Sequence, residues 1–424
     1  MGIEETLKKY SWMVPLLQNA DRETRSILMK NFRQRKKNFF PEAKLNADID
    51  NIIKCMLCPN MCRFDCGSLL AAHTESMSPA YKARIGYYLS MGKIDPTDSK
   101  NKEFIDLMYK CSNEENCKIW CPFGFSVVEL LESVRDDLTE KKLMPEYLKT
   151  PIQNLHKTQT IENYNIYKTY KEKGIENIET KGNDEVYYYI GCEMMKFPEV
   201  VKANIEILKK AGVKFSTNLE KKMCCSGPMF NIRNLTTANE FAEKNKKLIE
   251  STGAKLVVSD CPGCVLALTK RYESIGVKIN VRIIHIIEYI KQLIDEGRLL
   301  LKKDIPIEYK KLTIHDPCLM ARNLNDISSI RMILSKIQDV ELLEPIYNKE
   351  FTHCCGWSGT LHWADRSLAI KEAQNRVTEL KETGANVFIS ACPLCELGLK
   401  YGLSEEEKRY IKILDLSELL VKII

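Results

Sequence analysis

From residue 185 onward, apolar runs of strand length alternate with longer stretches of helical periodicity. Val186 to Ile190, Leu256 to Val258 and Val387 to Ile389 are uninterrupted apolar runs, Leu312 to Ile314 is broken only by Thr313, and each leads into a loop that carries a cysteine. Between them, Val200 to Ala211 and Leu368 to Thr383 space their apolar residues as helices do. Strands buried on both faces read as continuous apolar runs and belong to parallel sheets covered by helices. The pattern predicts an α/β fold with ligands at the carboxyl ends of strands, where open α/β sheets place their sites.

Upstream the pattern changes. Residues 1 to about 50 read as helix, with Leu7, Met13, Leu16 and Leu17 at mixed helical spacing. Lys141 to Asp184 lacks cysteine and is rich in Lys, Glu, Asn, Tyr and Thr, so it reads as a linker with loose helical content. At the other end, Leu414 to Ile424 reads as an amphipathic helix packed on the core.

A net charge of +6, from 63 basic and 57 acidic residues, is too even for a nucleic-acid binder. The most basic run, Arg33 to Lys37, reads as a solvated helix face, with a membrane-surface or partner patch as the other reading. No apolar run is long enough to span a bilayer, and the N-terminus lacks a signal peptide's apolar region. A cytoplasmic protein is expected, one that reaches the cytoplasmic face of a membrane only through a partner.

Seventeen cysteines change the picture most. A cytoplasm keeps thiols reduced, so such a count points to metal or redox chemistry rather than to disulfides. Ten of them form a repeat. Cys192, Cys224-Cys225 and Cys261/Cys264 recur as Cys318, Cys354-Cys355 and Cys392/Cys395, at offsets of 126, 130 and 131 residues, which marks a duplicated half-domain. Five thiolates with an adjacent pair exceed what one tetrahedral zinc takes, and vicinal disulfides are strained. A larger cluster suits them better. Gly227, Pro228, Pro262, Gly263, Gly356, Gly359 and Pro393 surround these ligands, as close backbone approach to inorganic sulfide requires.

The other seven lie between residues 55 and 121. Bacterial ferredoxins hold two cubanes with paired C-x2-C-x2-C-x3-C-P runs whose fourth cysteine crosses to the other cluster. Here Cys55-x2-Cys58-x3-Cys62-x3-Cys66 is one residue longer, with Gly67 in place of proline. Cys111-x5-Cys117-x3-Cys121-Pro122 lacks its second ligand, where Glu114 stands. The crossover rule gives one cluster Cys55, Cys58, Cys62 and Cys121. The other receives Cys66, Cys111 and Cys117, with Glu114 either a fourth ligand or a plain loop carboxylate. Such a three-thiolate site suits a [3Fe–4S] cluster, or a [4Fe–4S] cluster with an oxygen ligand. Zinc remains the competing metal for the C-x2-C pairs.

From about residue 50 to the end, the chain resembles the CCG-domain iron–sulfur oxidoreductases. These include the B and D components of heterodisulfide reductase and the iron–sulfur subunits of glycolate oxidase and anaerobic glycerol-3-phosphate dehydrogenase. Ser78-Pro79, Lys82-Ala83-Arg84, Gly191-Cys192, His315-Asp316-Pro317-Cys318 and Cys354-Cys355-Gly356 look like family positions, while Ser226 departs from the family's glycine. The resemblance implies four segments: a helical ferredoxin-like two-cluster domain (1–140), a linker (141–184) and two CCG half-domains (185–305 and 306–424). It implies a noncubane [4Fe–4S] cluster on Cys192, Cys224, Cys225, Cys261 and Cys264, and another on Cys318, Cys354, Cys355, Cys392 and Cys395. Seven cysteines in the ferredoxin-like part and five in each half leave none over.

Two complete CCG motifs favour an enzyme that reduces or forms a disulfide of a small thiol, as heterodisulfide reductases do. The alternative is an electron-transfer subunit that feeds quinone from a flavin-dependent glycolate, lactate or glycerol-3-phosphate dehydrogenase. A zinc-stabilised structural protein is the third class. No G-x-G-x-x-G fingerprint is present in a strand–helix context. Electrons must then be exchanged with a flavoprotein, cytochrome b or ferredoxin partner. His315 and His353 lie within three residues of CCG cysteines and are candidate proton donors, or groups that orient ligand loops. Trp120 and Trp357 adjoin ligands and are read as shields; His73, His156, His285 and His362 carry no signal.

Overall fold

The computed structural model describes residues 49–424 except 59, 176, 181–183 and 302–304, together with residues 18, 21–23, 25 and 26. The expected N-terminal helix around Leu7 to Leu17 and the Arg33 to Lys37 run lie outside the described residues.

Residues 49–140 are helical. Ile49–Leu57, Gly67–Ala72, Pro79–Ser90, Lys102–Tyr109 and Val127–Glu140 bury Leu89, Met108, Tyr109, Leu131 and Leu138. The Ser78-Pro79 pair starts its helix for a physical reason. Ser78 Oγ accepts the Tyr81 N–H at 3.2 Å, and proline at the first position spends no N–H. Two further helices, Lys149–Thr158 and Ile166–Glu172, bury Leu155 and Tyr170 completely, and Tyr170 Oη donates to the Gly191 carbonyl at 3.2 Å. Their apolar residues are too sparse to mark them as packed elements from sequence.

Two four-stranded parallel sheets follow. The first comprises β1 (Val186–Tyr189), β2 (Phe215–Ser216), β3 (Leu256–Ser259) and β4 (Arg282–His285), in the order β2-β1-β3-β4. The second comprises β5 (Lys311–Ile314), β6 (Glu341–Leu343), β7 (Val387–Ser390) and β8 (Lys412–Asp415), in the order β6-β5-β7-β8. Every pairing is parallel and the two orders are the same. The duplication seen in the cysteines is thus a duplication of the fold. Loops bearing Cys192, Cys261, Cys318 and Cys392 leave the carboxyl ends of the central strands, and Pro262 and Pro393 open the next helices.

The C-terminal Leu414 to Ile424 is not one helix. Leu414 and Asp415 finish β8, and the helix is only Leu416–Leu420. Asp415 and Glu418 form a capping box that stops the strand and starts the helix.

At the matching end of β4, His285 caps helix Ile286–Asp295, its Nδ1 accepting the Ile287 N–H at 3.3 Å. Burial lowers His285 to about 4, so the cap works as neutral imidazole. A histidine lowered in the folded state stabilises above its ordinary value near 6.5, and this is lost as pH falls toward 4. Acid should therefore cost about 3 kcal/mol across that window. His285→Asn, which keeps a cap, should lose less when thermal midpoints are followed against pH.

Candidate metal centres and the cavity between the halves

The N-terminal thiols gather in two groups, and each group includes a cysteine from the other sequence run. Cys55, Cys58, Cys62 and Cys121 line one void of about 20 Å³, which Cys117 also borders. Burial, then the neighbouring thiols, pushes Cys55 up to about 12; burial does the same to Cys62. Cys58, Cys62 and Cys121 stay half-buried, with Leu57, Phe64 and Phe123 exposed around them. Cys66, Cys111 and Cys117 line a second void of about 20 Å³ with Glu114 and Lys82. Asn113 and Glu115, on either side of Glu114, adopt left-handed backbone (φ 53° and 64°), an unusual conformation that accompanies the inward turn of its carboxylate. The Gly67 N–H donates to Glu114 Oε1 at 2.9 Å.

Each CCG set is fully buried and has the same internal order. Cys192 Sγ is 3.5 Å from Cys224 Sγ. Hydrogen bonds from Cys224 and Cys264 hold the Cys225 thiol well below its usual value. In the second set Cys354 and Cys395 do the same to Cys355. Backbone amides point at the first sulfur of each pair: Ser226 N–H to Cys224 at 3.4 Å, Gly356 N–H to Cys354 at 3.3 Å. Ser226 stands at φ 52° where Gly356 stands at 77°, so the serine departure keeps the left-handed turn. All seventeen cysteines are free thiols. Sulfur donors packed this closely, with amide N–H groups aimed at them, fit iron–sulfur clusters, whose sulfurs take such hydrogen bonds. The five-thiol sets exceed what one isolated tetrahedral ion takes.

A cavity of about 110 Å³ lies between the halves. All five thiols of the first set line it, and the second half closes it with Trp357, His362, Trp363 and Leu394. None of the second set's thiols reaches it. Cys392 and Cys261 interact across the boundary between the two sets.

The second set faces the N-terminal unit instead. The Thr360 N–H donates to the Cys111 carbonyl at 3.1 Å, and Lys110 pairs with Asp365 at 2.9 Å. His353 Nε2 meets Asp65 at 2.6 Å and its Nδ1 meets Glu379 at 2.6 Å. Burial opposes charge on His353, but the two carboxylates outweigh it and raise the imidazole to about 9. Arg376, fully buried, donates to His315 Nδ1 at 3.1 Å and to Glu379 at 2.7 Å. One ring nitrogen of His315 lies within 4.8 Å of the Cys355 and Cys395 sulfurs. The first half docks separately, through Arg233 forked onto Asp136 at 2.7 Å.

Neither His315 nor His353 lines the cavity, whereas His362 does, with a buried Nδ1 that has no hydrogen-bond partner. Trp357 is buried beside it, and Trp120 is exposed, its Nε1 donating to Asp65 at 2.6 Å. Glu372, Arg376 and Glu379 were not singled out from sequence. They share one helix, Arg366–Lys381, and read there as ordinary surface charges.

Comparison with known proteins adds four likenesses. The CCG family, described as a cysteine-rich domain, matches residues 186–269 and 312–400. The D component of the dihydromethanophenazine:CoB–CoM heterodisulfide reductase of Methanosarcina barkeri is 26% identical over 340 residues, covering 78% of this chain and 81% of that protein. The B component of the fumarate reductase (CoM/CoB) of Methanothermobacter marburgensis is 23% identical over 373 residues, covering 87% and 71%. Lactate utilization protein A of Halalkalibacterium halodurans is 26% identical over 235 residues, covering 53% of this chain and 91% of that protein.

Proposed function

We propose that this chain, a CCG-domain protein among the iron–sulfur oxidoreductases, exchanges two electrons with a disulfide seated on its first CCG half. One observation carries the reading: the cavity between the halves is lined by all five thiols of the first set and none of the second. The net change is R–S–S–R′ with two electrons and two protons giving two thiols, or its reverse, with a redox partner as electron donor or acceptor.

In this reading Cys55, Cys58, Cys62 and Cys121 hold a cubane, and Cys66, Cys111 and Cys117 with Glu114 hold a three-thiolate cluster. Each five-thiol CCG set holds a noncubane cluster. Bound clusters supply one-electron storage at closely spaced centres. The chain's residues do the rest. Trp357 and Trp363 wall the cavity against water, and His362 offers its unpartnered nitrogen to a substrate. His353 locks the N-terminal unit to the second half through Asp65 and Glu379, and Arg376 orients His315 toward Cys355. Both histidines act as positioning residues. The partner meets the exposed rim of the first cubane site, where Leu57, Phe64 and Phe123 are open to solvent.

The test uses full-length chain purified without air: iron and acid-labile sulfide, then EPR of the oxidised protein with and without a small thiol. Iron for four clusters and a paramagnetic signal that requires thiol support disulfide chemistry. Full iron without that signal favours an electron-relay role, the reading suggested by the partial likeness to lactate utilization protein A. Zinc in place of iron sinks both.

A further inference from the structure

Two carboxylates meet where the N-terminal unit abuts the second half. Glu114 is 6% exposed and Glu372 is 2% exposed. One oxygen of each and the Cys354 sulfur all lie within 4.8 Å of one another. Glu114 Oε2 and both Glu372 oxygens have no hydrogen-bond partner. Arg322 pairs with Glu114, whereas Glu372 has no ion pair among the described residues. Arg322 donates to the carbonyls of Glu114, Glu350 and Thr352, and its free Nη2 remains 3.7 Å from Glu114 Oε2. Lys82 donates to Ser68 Oγ at 3.1 Å. Buried carboxylates facing each other with open lone pairs are costly unless a cation or a proton lies between them.

The backbone makes room for this meeting. A Cβ on Gly67 would stand 2.5 Å from Glu372 Oε1 and 3.0 Å from Glu114 Oε1. Glycine after Cys66, where a ferredoxin run carries proline, leaves space for both carboxylates. Glu114 and Gly67, the two departures from the ferredoxin pattern, thus occur at one place.

We infer that Glu372, together with Glu114 and Cys354, each shared with the cluster proposed for its own set, forms a mixed oxygen–sulfur iron site between the three-thiolate set and the second CCG set. Glu372 is then a metal ligand supplied by the second half. Two carboxylates and one thiolate suit ferrous iron better than sulfur-only coordination would, because carboxylate is the harder donor. The inference rests on the iron–sulfur reading above, but not on disulfide chemistry.

The test is Mössbauer spectroscopy of full-length chain reconstituted without air using ⁵⁷Fe, with iron and sulfide counted alongside. The wild type should show a ferrous component with oxygen ligands. Glu372→Gln should lose that component and about one iron per chain, with sulfide unchanged. Gly67→Ala, whose methyl group displaces both carboxylates, should lose the same component. It serves as the second variant if Glu372→Gln does not fold. A wild-type spectrum without oxygen-ligated iron, or a folded Glu372→Gln that keeps it, overturns the inference. Sulfur-ligated iron alone would overturn this site and leave the function standing. A chain that binds no iron overturns both.

Discussion

Replacing Cys225 by serine is expected to abolish the thiol-dependent paramagnetic signal and to cut disulfide turnover roughly 100-fold or more. Replacing Cys355 is expected to act differently. Both cysteines hold the same place in their sets, each held low by two neighbouring thiols. They differ in what they face. Cys225 lines the cavity, whereas Cys355 does not and lies beside Gly398 and His315. Cys355→Ser should therefore still give a thiol-dependent signal while reduction by an external donor slows. EPR with added thiol and single-turnover reduction of each variant separate the two roles. A signal lost in Cys355→Ser but kept in Cys225→Ser would place substrate on the second set and reject the division proposed.

The second large effect is structural. Gly356 has φ 77°, and a Cβ there would lie 2.1 Å from the Ala369 carbonyl oxygen, inside the backbone of helix Arg366–Lys381. Gly356→Ala should cost about 3 kcal/mol, as left-handed backbone strain and overpacking add. The thermal midpoint should drop by several degrees. Gly384 is the control: its φ is 79° but nothing stands within 4 Å of its Cβ position. Alanine there pays the conformational cost alone, about 1 kcal/mol. Equal losses at the two sites would show that the helix does not press on Gly356. The first half has a serine at the equivalent place, with Oγ 3.4 Å from the Ala238 carbonyl, so its covering helix stands further off.

That contrast bears on what the sequence made legible. The duplication, the parallel α/β halves and the strands next to cysteines were readable because central strands buried on both faces are plainly apolar, as in β1 and β7. β2, of two residues, and β6, only partly buried, carry no such signal. The last two residues of β8 read as helix because Leu414 and Asp415 continue smoothly into Leu416. In the N-terminal unit Cys121 lies with Cys55, Cys58 and Cys62, and Cys66 with Cys111 and Cys117, the neighbours that the crossover spacing pairs, while Cys117 borders both voids. Contacts between units were not legible. Glu372 and Arg376 look solvated on an isolated helix, and only its docking against Gly67–Ala72 encloses Glu372. His362 gave no signal because its role depends on a cavity shared with the other half.

The uneven shelter of the cysteines sets how the protein fails in air. Eleven thiols are buried, while the other six, all in the N-terminal unit and three of them at a rim beside exposed Leu57, Phe64 and Phe123, are only half-buried. Dioxygen and water reach that rim first. With clusters bound as proposed, brief aeration is expected to damage the N-terminal centres before those of the CCG sets. Such a sample is expected to stay brown but to accept electrons from an external donor more slowly.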